Sequence, residues 1–192
     1  EKFIKSRKSW CASSTHKSEE IFCGNIHKEL KKKYKNLLTI IIPRHVSRTA
    51  SIVNELKNLN LKFHLHNPKK KINKNTDIYL VNSYGKTKSF YKVCKNVFLG
   101  GSLIEHGGQN PLEATRYGCN IIHGPSVENF NEIFQFLRKR KISYKIDSKF
   151  KMIKILNKML LRKKNFNNAE EKLKTIGQKI LNDTYNNIKT LI

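Results

Sequence analysis

Short apolar runs of strand length alternate with amphipathic stretches of helix length along most of this chain, and that alternation constrains the fold more than any other feature. A helix between two strands of one sheet forces a crossover, so repeated β-α units give a parallel sheet with helices on its faces. The clearest run is Leu37 to Ile42, almost entirely β-branched or Leu, a composition that fits a strand buried on both faces. Pro43 closes it. Further strands are predicted at Ser9–Ser13, Leu61–Leu65, Asp77–Val81, Asn96–Leu99, Asn120–Ile122 and Ser143–Ile146. Helices are predicted at Glu19–Lys33, Ser47–Leu59, Thr87–Cys94, Asn110–Tyr117 and Glu128–Arg140, and two lysine-rich helices end the chain. The expected fold class is α/β, a parallel sheet flanked by helices.

A chain of 192 residues can bury one good core. With no internal repeat and no Pro- or Ser-rich linker, the division expected is a single domain over 1–148 with appended helices over 149–192. The lysine run at 69–71 reads as a loop. Basic residues outnumber acidic ones by 39 to 14, a net charge of +25, which ordinarily points to nucleic acid, an anionic membrane surface or an acidic ligand. The lysines are scattered through helices without an Arg-rich arm or interleaved aromatics, so nucleic acid is not the expected partner. Cys11, Cys23, Cys94 and Cys119 have neither disulfide-framework nor metal-ligand spacing and read as buried free thiols of a reducing cytosol. No run of about 18 apolar residues occurs and no secretory core opens the sequence, so a soluble or peripheral chain is expected.

The densest chemical signal is Gly100-Gly101-Ser102-Leu103-Ile104-Glu105-His106-Gly107-Gly108-Gln109-Asn110-Pro111-Leu112-Glu113, four glycines between a strand and a helix. Glycines allow close backbone approach and positive φ, and a helix beginning near Pro111 would aim free N–H groups at an anion. The place is also the carboxyl end of a parallel strand, where open α/β sheets bind ligands. A phosphate is the expected occupant. Helix capping by Asn110, Pro111 and Glu113 explains part of the string and none of the glycines.

The string G-G-S-L-x-x-x-G-G-x-N-P-L-E resembles the nucleotide-binding loop of bacterial 3-deoxy-D-manno-octulosonic acid (Kdo) transferases. Pro43-Arg44-His45-x-x-Arg48 is similar to that family's P-R-H-x-x-R, Ser14-Thr15-His16-x-x-Glu19-Glu20 to its S-T-H-x-G-E-E, and Gly124-Pro125-x-x-x-Asn129-Phe130 to its G-P-x-x-x-N-F. Order and spacing agree over about residues 9 to 135. Ser18 stands where Gly is usual, and Asn82-Ser83-Tyr84-Gly85-Lys86-Thr87 occupies the place of a D-[ST]-M-G-E-L segment, with Lys86 reversing a charge.

The resemblance implies a Rossmann-like domain, the C-terminal half of a two-domain GT-B glycosyltransferase, that binds CMP-Kdo. It implies an inverting transfer of Kdo to a lipid A precursor at the cytoplasmic face of the bacterial inner membrane, where the chain would sit peripherally. The catalytic base of the family lies in an N-terminal domain beyond this sequence, so the chain alone is expected to bind without turning over, and its last helices to pack back towards that missing half. Carried over by position, Pro43, Arg44, Tyr84, Gly85, Lys86, Asn110, Pro111, Leu112 and Glu113 would hold CMP, Arg44 facing the phosphate and Glu113 the ribose hydroxyls. Gly100, Gly101, Ser102, Gly107 and Gly108 would form the phosphate and sugar loop.

His16, His45 and His106 all fall inside these motifs and could meet around one cleft, where hydrogen bonds to phosphate or sugar are expected in preference to a metal. No cofactor is expected beyond the donor. His64 and His66 alternate with Phe63 and Leu65 and read as solvent-facing strand positions. Glu19 and Glu20 fall in a first helical turn, where negative charge is favourable in any case, and are not expected to be catalytic. Two other readings remain: a GT-B transferase using a UDP- or GDP-sugar, and a basic module that engages nucleic acid or anionic lipid without chemistry.

Overall fold

The computed structural model describes residues 2–161. All seven predicted strands are present, as β1 (Lys8–Thr15), β2 (Leu37–Pro43), β3 (Phe63–Leu65), β4 (Ile78–Leu80), β5 (Asn96–Leu99), β6 (Asn120–His123) and β7 (Ser143–Lys145). They form one sheet in the order β3-β4-β2-β1-β5-β6-β7, and every pairing is parallel. The helices are α1 (Lys2–Lys5), α2 (Glu19–Lys33), α3 (Thr49–Asn58), α4 (Thr87–Val93), α5 (Leu112–Arg116), α6 (Asn131–Lys139) and α7 (Lys149–Leu161), with 3-10 turns at Val46–Arg48 and Glu128–Phe130.

Period-two alternation in the central strands builds two cores, one on each face of the sheet. Trp10, Ala12, Leu37, Ile41 and Phe98 face α2, α3 and α7, whereas Cys11, Leu38, Ile40, Ile42, Val97 and Leu99 face residues of α4, α5 and α6 such as Phe90, Ala114 and Phe134. Met152, Leu156, Met159 and Leu160 of α7 belong to the first core, so this helix is integral to the domain. The second lysine-rich helix predicted at the chain end lies outside the described residues. All four cysteines are free and buried. Among the described residues, no helix is long and apolar enough to cross a membrane.

Several expectations need correction. β3 starts at Phe63 and not Leu61, because the Lys62 N–H donates to the Asp77 carboxylate (2.9 Å) and its carbonyl accepts from Asp77 and Ile78. His64 and His66 are half-buried while Leu65 is exposed. His64 stacks on Tyr79 and His66 Nδ1 meets the Tyr79 hydroxyl at 2.7 Å. The helix predicted from Glu128 is split, a 3-10 turn leading into α6 at Asn131.

The chain leaves β1 for β2 on one side and returns to β5 on the other. That reversal opens a crevice over the carboxyl ends of β1, β2 and β5, the switch point at which such sheets take ligands.

Candidate functional site

The crevice is shaped first by an irregularity in β1. Pairing with β2 slips between Ser13 and Thr15, and Ser14 takes a positive φ of 55°. This bulge turns Ser14 into the cleft and sends Thr15 and His16 over the strand ends. The cleft encloses about 380 Å³ and is walled by Ser14, Pro43 and Arg44 from β1 and β2, by residues 83–87 after β4, and by Gln109, Asn110 and Glu113 beyond β5. Of the expected CMP residues, it brings together Pro43, Arg44, Tyr84, Gly85, Lys86, Asn110 and Glu113. Pro111 and Leu112 lie between lining residues but do not line it.

Gly100, Gly101, Ser102, Gly107 and Gly108 stand apart from that wall, and their backbone N–H groups are engaged within the protein. Gly100 donates to the Ser13 carbonyl, Gly108 to the Gly101 carbonyl, and Gly107 to Ser126 Oγ. The Gly101, Ser102 and Leu103 N–H groups all point at the carboxylate of Glu19, at 2.8, 3.2 and 3.0 Å, and His16 N–H joins them at 2.9 Å. Four donors fill the roughly four acceptor sites of one carboxylate. The expectation that these amides cradle a phosphate is therefore corrected: the protein supplies its own anion, and the loop is a scaffold that carries Gln109 and Asn110 to the cleft. Its glycines serve that shape. A side chain at Gly100 would run into the Ser14 carbonyl, and one at Gly107, where φ is 80°, into Asn129.

Glu19 and Glu20 are fully buried, and Glu20 receives both guanidinium nitrogens of Arg48 at 2.8 and 3.0 Å. Such a fork is the geometry that best holds a buried charge pair. The reading of both as ordinary first-turn carboxylates missed what they do: Glu19 orders the glycine loop, and Glu20 ties α2 to the turn after β2. The signal was available in the spacing of Glu19-Glu20 from the histidine motif and in the last Arg of P-R-H-x-x-R. Ser18, before α2, has a φ of 76°, a conformation natural to glycine, which fits the glycine expected at this place from the resemblance of the motif.

The anion site expected at the helix beginning near Pro111 also needs correction. α5 has only five residues and starts at Leu112, too short for an appreciable dipole. Asn110 Oδ1 accepts the Leu112 N–H at 2.9 Å, so Asn110 closes the turn before the helix. Glu113, in its first turn, accepts from the Thr87 hydroxyl at 3.3 Å and lies 3.8 Å from Lys88 Nζ. Opposite it, Tyr84 is 69% exposed at the lip of the cleft. Positive charge from Arg44 and Lys86 and the Glu113 carboxylate thus share one wall-to-wall space, an arrangement suited to a ligand with an anionic group at one end and hydroxyls at the other.

The three motif histidines do meet. The rings of His16 and His106 lie 4.3 Å apart and those of His16 and His45 5.8 Å apart, centre to centre. His45 and His106 are exposed, whereas His16 is 9% exposed and its Nε2 has no hydrogen-bond partner among the described residues. Burial, with the neighbouring His106, His45, Arg44 and Arg48, lowers its pKa to about 4, so the ring is neutral at physiological pH.

Fold and cleft define a Rossmann-like α/β domain with a ligand site at the switch point of a parallel sheet. No family model matches the chain. Curated relatives do: the chain is 31% identical to the 3-deoxy-D-manno-octulosonic acid transferase of Haemophilus influenzae, over 97% of this chain and 43% of that protein. It is 32% identical to the enzyme of the same name from Rickettsia prowazekii, over 94% and 38%, and 29% identical to that of Aquifex aeolicus, over 83% and 47%. The chain spans less than half the length of these relatives. Among solved structures, the C-terminal CMP-Kdo binding domain of WaaA from Acinetobacter baumannii superposes with a TM-score of 0.79 at 26% identity, covering 93% of this chain and 91% of that one. The chain is a homologue of the Kdo transferases and has the fold of their CMP-Kdo binding domain.

Proposed function

We propose that this chain is the donor-binding half of a Kdo transferase, holding CMP-Kdo while the sugar is passed to a lipid A precursor in lipopolysaccharide synthesis. The observation that carries the reading is the cleft itself, in which Arg44, Lys86, Asn110 and Glu113 converge at the place where the solved relative's fold has the same sheet. Arg44 and Lys86 supply positive charge to the phosphate, which gains negative charge as the sugar–oxygen bond breaks. Glu113 accepts from ribose hydroxyls, and Tyr84 offers a ring face at the rim. In an inverting displacement the acceptor hydroxyl attacks from the side opposite CMP, and its proton goes to a base on an N-terminal domain in the same or a separate polypeptide. Positioning of donor and acceptor then requires both halves. The net charge of +25 supports peripheral attachment to the anionic cytoplasmic leaflet of the inner membrane, each nearby Lys adding about 1 kcal/mol.

The test is calorimetric titration of the 192-residue chain with CMP, UMP and GMP in moderate salt, repeated with Glu113→Ala. Selective CMP binding that weakens at least tenfold in the variant, roughly the loss of one charge-assisted contact, is the expected result. A preference for UMP or GMP would assign the chain to a transferase of another nucleotide sugar.

A further inference from the structure

A buried polar group without a partner is uncommon and costs roughly 1–3 kcal/mol, so one close in the chain to residues that line the cleft calls for an occupant. His16 Nε2 is such a group, on a ring from the β1 bulge that is packed between His106 of the glycine loop and His45 of the turn after β2. Space in front of it is kept open by the glycine at 101: a Cβ there would stand 3.3 Å from His16 Nε2 and 2.8 Å from His106 Cδ2. The charged neighbours acting on His16 are Arg44 and Arg48, both cationic. The adjacent carboxylates are already saturated, Glu19 by four N–H groups and Glu20 by the Arg48 fork. The cluster is therefore a set of side-chain donors with cationic neighbours, beside carboxylates that are already engaged. Its neutral central ring can present an N–H at Nε2 without first losing a charge's hydration.

We propose that His16, His45 and His106 form a carboxylate subsite that selects an acidic sugar on the donor. The inference rests on the nucleotide-sugar reading above. Placement supports it: Arg44 lines the cleft and immediately precedes His45, and Ser14 lines it two residues before His16. An ulosonic acid carries its carboxylate directly on the anomeric carbon, the carbon that also bears the phosphate oxygen, so that group must lie beside the phosphate. A neutral sugar would leave His16 Nε2 unpaired; an aldose bearing a remote carboxylate would not reach it.

The experiment compares two probes on the 192-residue chain: a non-hydrolysable phosphonate analogue of CMP-Kdo, and the same molecule with its carboxylate converted to a carboxamide. The unaltered chain should prefer the carboxylate on the order of tenfold, the size of one charge-assisted hydrogen bond. His106→Ala and His45→Ala, at exposed positions, should each reduce that ratio, and His16→Phe should bring it close to one. The ratio is the readout because a general loosening of the domain weakens both probes alike. Equal affinity for the two probes in a chain that binds CMP, or a preference kept intact in all three variants, would overturn the subsite while leaving the CMP reading in place. Failure of the unaltered chain to bind CMP would overturn both.

Discussion

Two clusters of buried polar groups, at opposite ends of the sheet, are completed to different degrees. At the amino end, Asp77 is surrounded by its own partners: His27 Nε2 at 3.3 Å, Lys31 Nζ, and the Lys62 N–H at 2.9 Å. His27 in turn meets Thr39 through Nδ1 at 2.8 Å. Burial works against the Asp77 charge, but these hydrogen bonds outweigh it and hold the carboxyl well below its ordinary range. At the carboxyl end, Thr15, His16, Ser83 and His123 each bury a side-chain atom with no partner among the described residues, although the backbone around them is tightly bonded. One end is a closed network that fastens β2, β4 and α2 together. The other end is ordered and unfinished, as a site formed before its ligand arrives must be. Rigidity there comes from Glu19, a saturated carboxylate set directly behind unsaturated groups.

The largest effect should come from exchanging these roles by mutation. Glu19→Ala strands four buried N–H donors and should cost about 3–5 kcal/mol in urea or guanidinium unfolding, with loss of CMP affinity in whatever fraction remains folded. Asp77→Asn breaks the network at the other end and should cost about 1–3 kcal/mol without changing CMP affinity. If Asp77→Asn also abolished binding, the two ends would not be separable.

Acid should distinguish the ends next. His16 and His123 have pKa values lowered to about 4, chiefly by burial, from the usual 6.5. The unfolded chain therefore takes up protons that the folded chain refuses, and stability is full above pH 6.5 and falls as the pH drops towards 4. The loss is on the order of 3 kcal/mol for His123 at the acid limit, and smaller for His16, whose ring is less deeply set and more screened by solvent. His27, also lowered by burial, adds in the same direction. Asp77 has the opposite chemistry: its contribution persists through that window and is lost only below the ordinary carboxylate value of 3.8. His123→Phe, beside Phe134, should flatten the first phase in pH-dependent denaturation and leave the second untouched.

The smallest effect is expected at the rim. Lys86→Glu reverses an exposed charge and should change stability by less than about 0.5 kcal/mol, as exposed charges do. It should weaken CMP binding several-fold in low salt and less in high salt. An unchanged affinity would show that Lys86 lies too far from the phosphate to matter.

Much of the fold was legible in the sequence. Leu37 to Ile42 could only be a strand buried on both faces, and the spacing of apolar runs gave every strand of the sheet because period and length report burial directly. The motifs around Arg44, Asn110 and Glu113 also marked the walls of one cleft, since glycine, proline and charged residues at strand ends are chosen locally. Element ends were less legible: β3 began late and α5 shrank to five residues, because Asp77 and Asn110 claimed backbone groups that a regular element would have used.

What the sequence could not determine was the direction in which the glycine-loop amides point. Local pattern gives a loop rich in N–H groups, and only the tertiary structure decides whether they face a ligand or the carboxylate of a residue some eighty positions earlier. The same holds for His16, whose identity is plain in the chain and whose unpaired nitrogen exists only because three distant segments enclose it. Periodicity is written residue by residue, so the sequence carries it. Saturation of a hydrogen-bonding group is a property of everything within about 3 Å of it, and that neighbourhood exists only once the chain has folded.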